Sequence, residues 1–217
     1  GKTHRRRDRA HRSELGRRPC PVLAGELEHN VSAERVPDQC LLMVDEAYHE
    51  FAAWEGGPDV LSLLATRSGP WVVIRTFSKA YGLSGARIGY AITGSPSLAI
   101  GFSKIRIGFN VNRIALAGAC AAMLDQNYLE MVLDTVSRER QRLSLALQEF
   151  KLRVYPSAAN FLLARADSSS ESIVERLAEK AILVQYLPWP DENGSLRITI
   201  GISAENDALL NALADIL

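Results

Sequence analysis

The chain has 217 residues, of which 25 are basic and 25 acidic, and 47% are hydrophobic. Balanced charge excludes a general pull toward nucleic acid or an anionic membrane, and the composition is that of a globular α/β protein. No apolar run reaches the roughly 18 residues of a membrane span, and Cys20, Cys40 and Cys120 form no CxxC pair, which points to a reducing, cytoplasmic setting.

Residues 1–32 carry Lys2, Arg5, Arg6, Arg7, Arg9, Arg12, Arg17 and Arg18 with little apolar periodicity, a composition expected to stay disordered. A nucleic-acid arm would interleave aromatic rings, and a transit peptide would show an amphipathic face without Asp8 and Glu14. The expectation is an aberrant or truncated start upstream of about residue 33. His4, His11, His29 and His49 have no metal-ligand spacing, so no metal is expected, and His49 is read as packed or solvated.

The first organised element is the apolar run Leu41-Leu42-Met43-Val44, predicted as a buried parallel strand that ends in Asp45-Glu46-Ala47-Tyr48-His49-Glu50-Phe51. A second buried strand, Trp71-Val72-Val73-Ile74, leads into Thr76-Phe77-Ser78-Lys79-Ala80-Tyr81-Gly82-Leu83-Ser84-Gly85-Ala86-Arg87-Ile88-Gly89-Tyr90. Lys79 thus lies just past a strand's C-terminal end, where open α/β sheets place their ligands. Its amine could hold a phosphorylated cofactor as an imine, with Ser78 and Arg87 on the phosphate. Pyridoxal phosphate also needs an acid beside its ring nitrogen. Asp45 can be that acid, and Tyr48 can offer its hydroxyl to the ring oxygen. Taken singly, each has an ordinary alternative: a solvated loop lysine, a helix-capping aspartate, a half-buried tyrosine.

Farther along, Ile88 to Thr93 reads as a strand, and Pro96 to Arg106 and Ile114 to Leu124 as helices. A long helix is predicted from about Tyr128 to Phe150, with Leu129, Val132, Val136, Leu143, Leu147 and Phe150 at helical spacing. Strands are expected at Asn160 to Ala164, Ile182 to Gln185 and Leu196 to Ile200, with helices near Ser170 to Lys180 and Ala204 to Leu217. This order predicts a first α/β unit over residues 33–127, a partial cofactor-binding large domain by the family resemblance that these motifs carry. Over residues 128–217 it predicts a bridging helix and a small α/β domain.

At these motifs the chain resembles the histidinol-phosphate aminotransferase family, among the fold type I pyridoxal-phosphate enzymes. The resemblance rests on Val44 through Phe51, the lysine passage, Phe109-Asn110-Val111-Asn112, Pro156-Ser157-Ala158-Ala159-Asn160-Phe161 and Leu196-Arg197-Ile198-Thr199-Ile200-Gly201, in the family's order. It implies a mostly parallel large-domain sheet, a small C-terminal domain, a homodimer, and transfer of an amino group from histidinol phosphate to 2-oxoglutarate in histidine biosynthesis. It makes Lys79 the catalytic lysine, with Asp45, Tyr48, Ser78 and Arg87 binding the cofactor and Arg197 receiving the substrate's anion. Without the resemblance, Arg197 reads equally well as a strand arginine in a surface salt bridge.

Two departures bear on the site. Gln185 stands where the resemblance implies a second anion-binding arginine, and Gly108 where it implies a proline. The phosphate-binding turn, the ring-stacking aromatic and the Asn-Pro-Thr-Gly-like segment of full members have no counterpart in the sequence. Threonine-phosphate decarboxylase and aromatic aminotransferase share the machinery and are the enzyme alternatives. A non-catalytic remnant with weak cofactor binding is the alternative of another class.

Overall fold

The computed structural model describes residues 36–217. The arginine-rich head, Cys20, His4, His11 and His29 lie outside the described residues. Two sheets, each with its own helices, are joined by one long helix.

The first sheet has three strands, β1 (Leu42–Asp45), β2 (Trp71–Thr76) and β3 (Gly89–Thr93), in the order β1-β2-β3. β1 runs parallel to β2, and β3 antiparallel to it, so this part of the sheet is mixed. A parallel neighbour requires a crossover, and the chain supplies it as α1 (His49–Trp54) and α2 (Val60–Leu64), two short helices that the sequence reading did not assign. Asp59 caps α2, accepting from Leu61 N at 3.1 Å and Ser62 N at 3.4 Å. Val60 and Leu64 then pack against Val73, Leu42 and Val44.

Both strands were expected to be buried on both faces, and this is corrected. Side chains alternate across a strand. Val72 and Val73 are buried, one on each face, whereas Leu41, Met43 and Ile74 are 44%, 54% and 37% exposed.

The second sheet has the order β4-β5-β7-β6, all antiparallel: β4 (Arg153–Val154), β5 (Phe161–Arg165), β6 (Gln185–Leu187) and β7 (Ser195–Thr199). The predicted strand at Ile182 to Gln185 is displaced. Helix α6 (Ser170–Glu179) ends in a turn with Ala181 at φ 60°, and Ile182 N donates to Leu177 O at 3.0 Å. That closure takes Ile182 to Val184 out of the ladder, so pairing begins at Gln185.

Helices α3 (Pro96–Ile105) and α4 (Arg113–Leu124) lie within a residue of expectation, capped by Ser95 and Asn112. Helix α5 runs Gln126–Glu149, two residues earlier than predicted at its start. Asp125 sets that start by accepting from Tyr128 N at 3.1 Å. Its first half sends Leu129 and Leu133 into a cluster with Phe51 and Ala80. Its second half sends Leu143 and Leu147 into the core of the second sheet, with Leu162, Leu196, Ile198 and residues of α7 (Ser203–Ile216). Leu143 and Leu147 have no exposed surface, and each contributes about 1.5–3 kcal/mol over an exposed leucine. One helix therefore sets both sheets relative to each other.

Candidate active site

The lysine loop is held on both sides of Lys79. Ser78 N donates to Thr76 Oγ1 at 3.0 Å, Gly82 N to Lys79 O at 3.0 Å and Leu83 N to Phe77 O at 2.9 Å, with Gly82 at φ 69°, where a side chain would be strained. Phe77 is buried against Tyr81 and Tyr90, with ring centroids 5.0 and 5.6 Å away, and Ala80 has no exposed surface. Two anchored neighbours leave the Lys79 side chain as the part free to move. Its Nζ lies 5.6 Å from the centroid of the Tyr48 ring.

Asp45 closes β1 in register with Ile74 of β2, five residues before Lys79. Its Oδ1 accepts from Ala47 N at 3.0 Å, which leaves Oδ2 available, and the side chain is exposed among the described residues. The next residue pair locks the two strand ends together: Glu46 N donates to Ile74 O at 2.8 Å, and Arg75 Nε and Nη2 both reach Glu46 Oε2 at 2.8 Å. Burial would raise the Glu46 carboxyl, but hydrogen bonds from His49 and Arg75 outweigh it, so the group is held below the ordinary carboxylate range. His49 Nδ1 stands 3.5 Å from Glu46 Oε1, which gives this half-buried histidine a packing and pairing role. Glu50, 8% exposed, is pushed up by burial, and its Oε2 has no hydrogen-bond partner among the described residues.

From the second sheet, Arg197 on β7 reaches across to Tyr48. Its Nη2 donates to the tyrosine hydroxyl at 3.0 Å and its Nη1 to Gln185 Oε1 at 3.2 Å. Gln185 and Arg197 are direct partners in the β6-β7 ladder. The guanidinium lies on the ring of Phe161, Cζ to centroid 4.0 Å, and that ring meets Tyr48 edge-on at 5.3 Å. Phe161 is placed by its own loop, where Ser157 Oγ donates to Phe161 O at 2.7 Å. The buried Arg140 secures that loop through the carbonyls of Ala158 and Ala159 and a pair with Glu55.

Thr76 Oγ1 donates to Ser78 Oγ at 2.9 Å, so the serine's own hydrogen is free. Arg87 is a non-glycine residue at φ 53°, and its Nη1 donates to Ser84 O at 2.8 Å. The structure thus links Lys79, Tyr48, Arg197 and Gln185 in one chain of contacts and sets Asp45 and Ser78 on the adjoining strand ends. Arg87 is turned to its own loop carbonyl. Phe161, Thr76 and the Glu46 to Arg75 pair were given no role by the sequence reading. A Thr-x-Ser step after a strand could have suggested Thr76, whereas the other two depend on register and on the second sheet.

A family model described as aminotransferase class I and II matches residues 33–213. The chain belongs to the class I and II aminotransferases. Histidinol-phosphate aminotransferase 1 of Mesorhizobium japonicum is 37% identical to this aminotransferase chain over 196 residues, covering 89% of the chain and 52% of that protein. An aromatic amino acid aminotransferase of Mycolicibacterium paratuberculosis is 40% identical over 182 residues, covering 84% of the chain and 50% of that protein. Among solved structures, histidinol-phosphate aminotransferase from Sinorhizobium meliloti in complex with pyridoxal 5′-phosphate superposes with a TM-score of 0.75 at 35% identity. That match covers 85% of this chain and 52% of the other. The chain spans about half the length of the curated relatives it matches. The family makes pyridoxal phosphate its cofactor, and the groups present fit it: an amine, a carboxylate oxygen free to accept, a phenol, a hydroxyl with its hydrogen unused and a guanidinium.

Proposed function

We propose that this aminotransferase chain carries the lysine side of a pyridoxal-phosphate site for transamination of the histidinol-phosphate type. An amino group moves from a donor to a 2-oxo acid, 2-oxoglutarate by family expectation. The names of its relatives offer two donor classes, histidinol phosphate and aromatic amino acids, and both would place an anion on Arg197. The observation that carries the reading is Asp45 and Lys79 at the ends of adjacent parallel strands, with Arg197 reaching Tyr48 from the other sheet.

Bound there, pyridoxal phosphate supplies an electron sink for the pair left on the substrate Cα. Lys79 Nζ would hold the cofactor and, once released, would take the proton from that Cα and pass it to the cofactor's C4′ carbon, the transfer that transamination needs. Asp45 presents Oδ2 as the anion for the ring nitrogen. Tyr48 accepts from Arg197, so its own proton is free for the ring oxygen. Ser78 offers its unused hydrogen to the phosphate, and Arg87 can join it on leaving the Ser84 carbonyl.

A cytoplasmic homodimer belongs to the same proposal. Its support is apolar surface that favours an interface: Ile105, Ile107, Phe109 and Ile114 are all at least three-quarters exposed. No described helix is long and apolar enough to cross a membrane. Absorbance tests the central claim. The protein mixed with pyridoxal phosphate should develop the visible band of lysine-bound cofactor, and Lys79→Ala should lose it. A missing band in the unaltered protein, or an unchanged one in the variant, sinks the reading.

A further inference from the structure

We propose that Arg140 is a positioning residue: it clasps the far end of α1 to the loop before β5 and so holds Tyr48 against Phe161, where the tyrosine hydroxyl meets the cofactor's ring oxygen. The cofactor end of this proposal rests on the transamination reading, whereas the clasp stands on the contacts alone.

Helix α5 turns one stripe toward α1. Leu129, Leu133, Val136 and Arg140 follow one another at spacings of four, three and four residues, which puts them on one helix face. The first three pack in the cluster around Phe51 of α1. The fourth, 5% exposed, is a cation where the pattern calls for another apolar side chain. Its planar fork serves three partners: Nη1 donates to Ala159 O at 3.0 Å and Ala158 O at 3.3 Å, and Nη2 donates to Glu55. Without the guanidinium, two carbonyls lose a buried donor and Glu55 loses its counter-charge.

Glu55 stands at the C-terminal end of α1 and Tyr48 at its N-terminal end, joined by a rigid span of about 10 Å at roughly 1.5 Å per residue. Tyr48 makes no capping bond through its side chain, which leaves that side chain to the site. On the other side, Ala159 N donates to Ser157 Oγ at 3.1 Å and Ile200 N donates to Asn160 O at 2.9 Å, so the carbonyls gripped by Arg140 belong to the same braced loop as Phe161. Phe161 meets Tyr48 edge-on with centroids 5.3 Å apart. The contacts close a ring, from Arg140 to Glu55, along α1 to Tyr48, across to Phe161 and back through residues 158–160. Opened at Arg140, that ring lets α1 and the Phe161 loop shift against each other.

The test is fluorine NMR on the full chain labelled with 3-fluorotyrosine, the Tyr48 resonance being assigned by its loss in Tyr48→Phe. The Phe161 ring current offsets that resonance from its unfolded-chain position. Arg140→Lys keeps the charge without the fork and should remove more than half of the offset. Glu55→Gln, at a side chain 30% exposed, should remove a smaller part, and the double variant should match Arg140→Lys alone. Ile173→Val trims the core of the second sheet away from the clasp and should leave the resonance in place. Circular dichroism checks folding, and Glu55→Gln carries the test if Arg140→Lys does not fold. With pyridoxal phosphate bound, a hydrogen bond from Tyr48 to the ring oxygen favours the deprotonated form of the lysine-bound cofactor. Arg140→Lys should therefore raise the pH midpoint of its visible band by about one unit, a tenfold change in proton affinity.

An unmoved Tyr48 resonance in the folded variants, an equal displacement in Ile173→Val, or an unchanged band midpoint overturns the proposal. The fluorine measurement needs no cofactor. A missing band in the unaltered chain would thus defeat transamination while leaving the displaced resonance, and an unmoved resonance would defeat the clasp while leaving the band.

Discussion

Replacing Glu139 with glutamine should remove a charge that ties the bridging helix to the end of the Arg197 strand. Glu139, on α5, is 8% exposed and accepts from Asn206 Nδ2 at 2.7 Å, Ser203 Oγ at 2.9 Å and Arg142 Nη2 at 2.8 Å. Asn206 in turn brackets the turn after β7, donating to Gly201 O at 3.0 Å and accepting from Gly201 N at 3.1 Å. The Arg142 guanidinium first, then Asn206 and Ser203, hold the Glu139 carboxyl down from 4.5 to about 2.

Taken whole, that difference corresponds to about 3.4 kcal/mol at roughly 1.36 kcal/mol per pH unit. Arg142 is 40% exposed, so solvent screening reduces the figure to about 2 kcal/mol. The folded-state value is depressed, so this stability is fully present above pH 4.5 and is lost as pH falls toward about 2. Urea unfolding followed by circular dichroism should show Glu139→Gln less stable by about 2 kcal/mol at neutral pH, a midpoint shift near ~1 M. The gap should close at about pH 2. A gap of the same size at both pH values, or none at neutral pH, would refute the charge-based reasoning.

Two further substitutions separate backbone and burial effects from ligand binding. Arg87→Gly relieves a left-handed backbone and should raise or preserve the melting temperature, while loss of charge-assisted bonds worth about 1.5–3 kcal/mol weakens pyridoxal-phosphate binding about 10- to 100-fold. Thermal melts and cofactor titration should therefore move in different directions; a parallel fall in both would count against the assignment. Glu50→Gln removes an ionisable group from a buried site where one oxygen has no partner. Because burial raises the folded-state value above 4.5, the wild type is favoured when this carboxyl is protonated and loses that advantage as pH rises. The variant should gain about 1 kcal/mol at neutral pH and nothing below about pH 4, as read by denaturant titration at both; a loss at neutral pH would contradict it.

The sequence by itself placed Lys79 past a strand end, Asp45 at the end of a second strand, and most helices to within two residues. Those features are local: periodicity, a capping aspartate such as Asp125 and a glycine such as Gly82 act over a few residues. They do not determine register or which faces are covered. Hence Met43 and Ile74 were read as buried, and the strand at Gln185 was placed three residues early, because the turn that ends α6 competes with the ladder. Only the tertiary structure set Glu46 against Arg75 and Phe161 beneath Arg197. Only it carried Arg197 to Tyr48, 149 residues away, and placed Gln185 opposite Arg197. Those contacts depend on how the two sheets are held by the two halves of one helix, through Leu129 and Leu133 at one end and Leu143 and Leu147 at the other. Packing across that distance is a property of the assembled chain, which no short segment encodes.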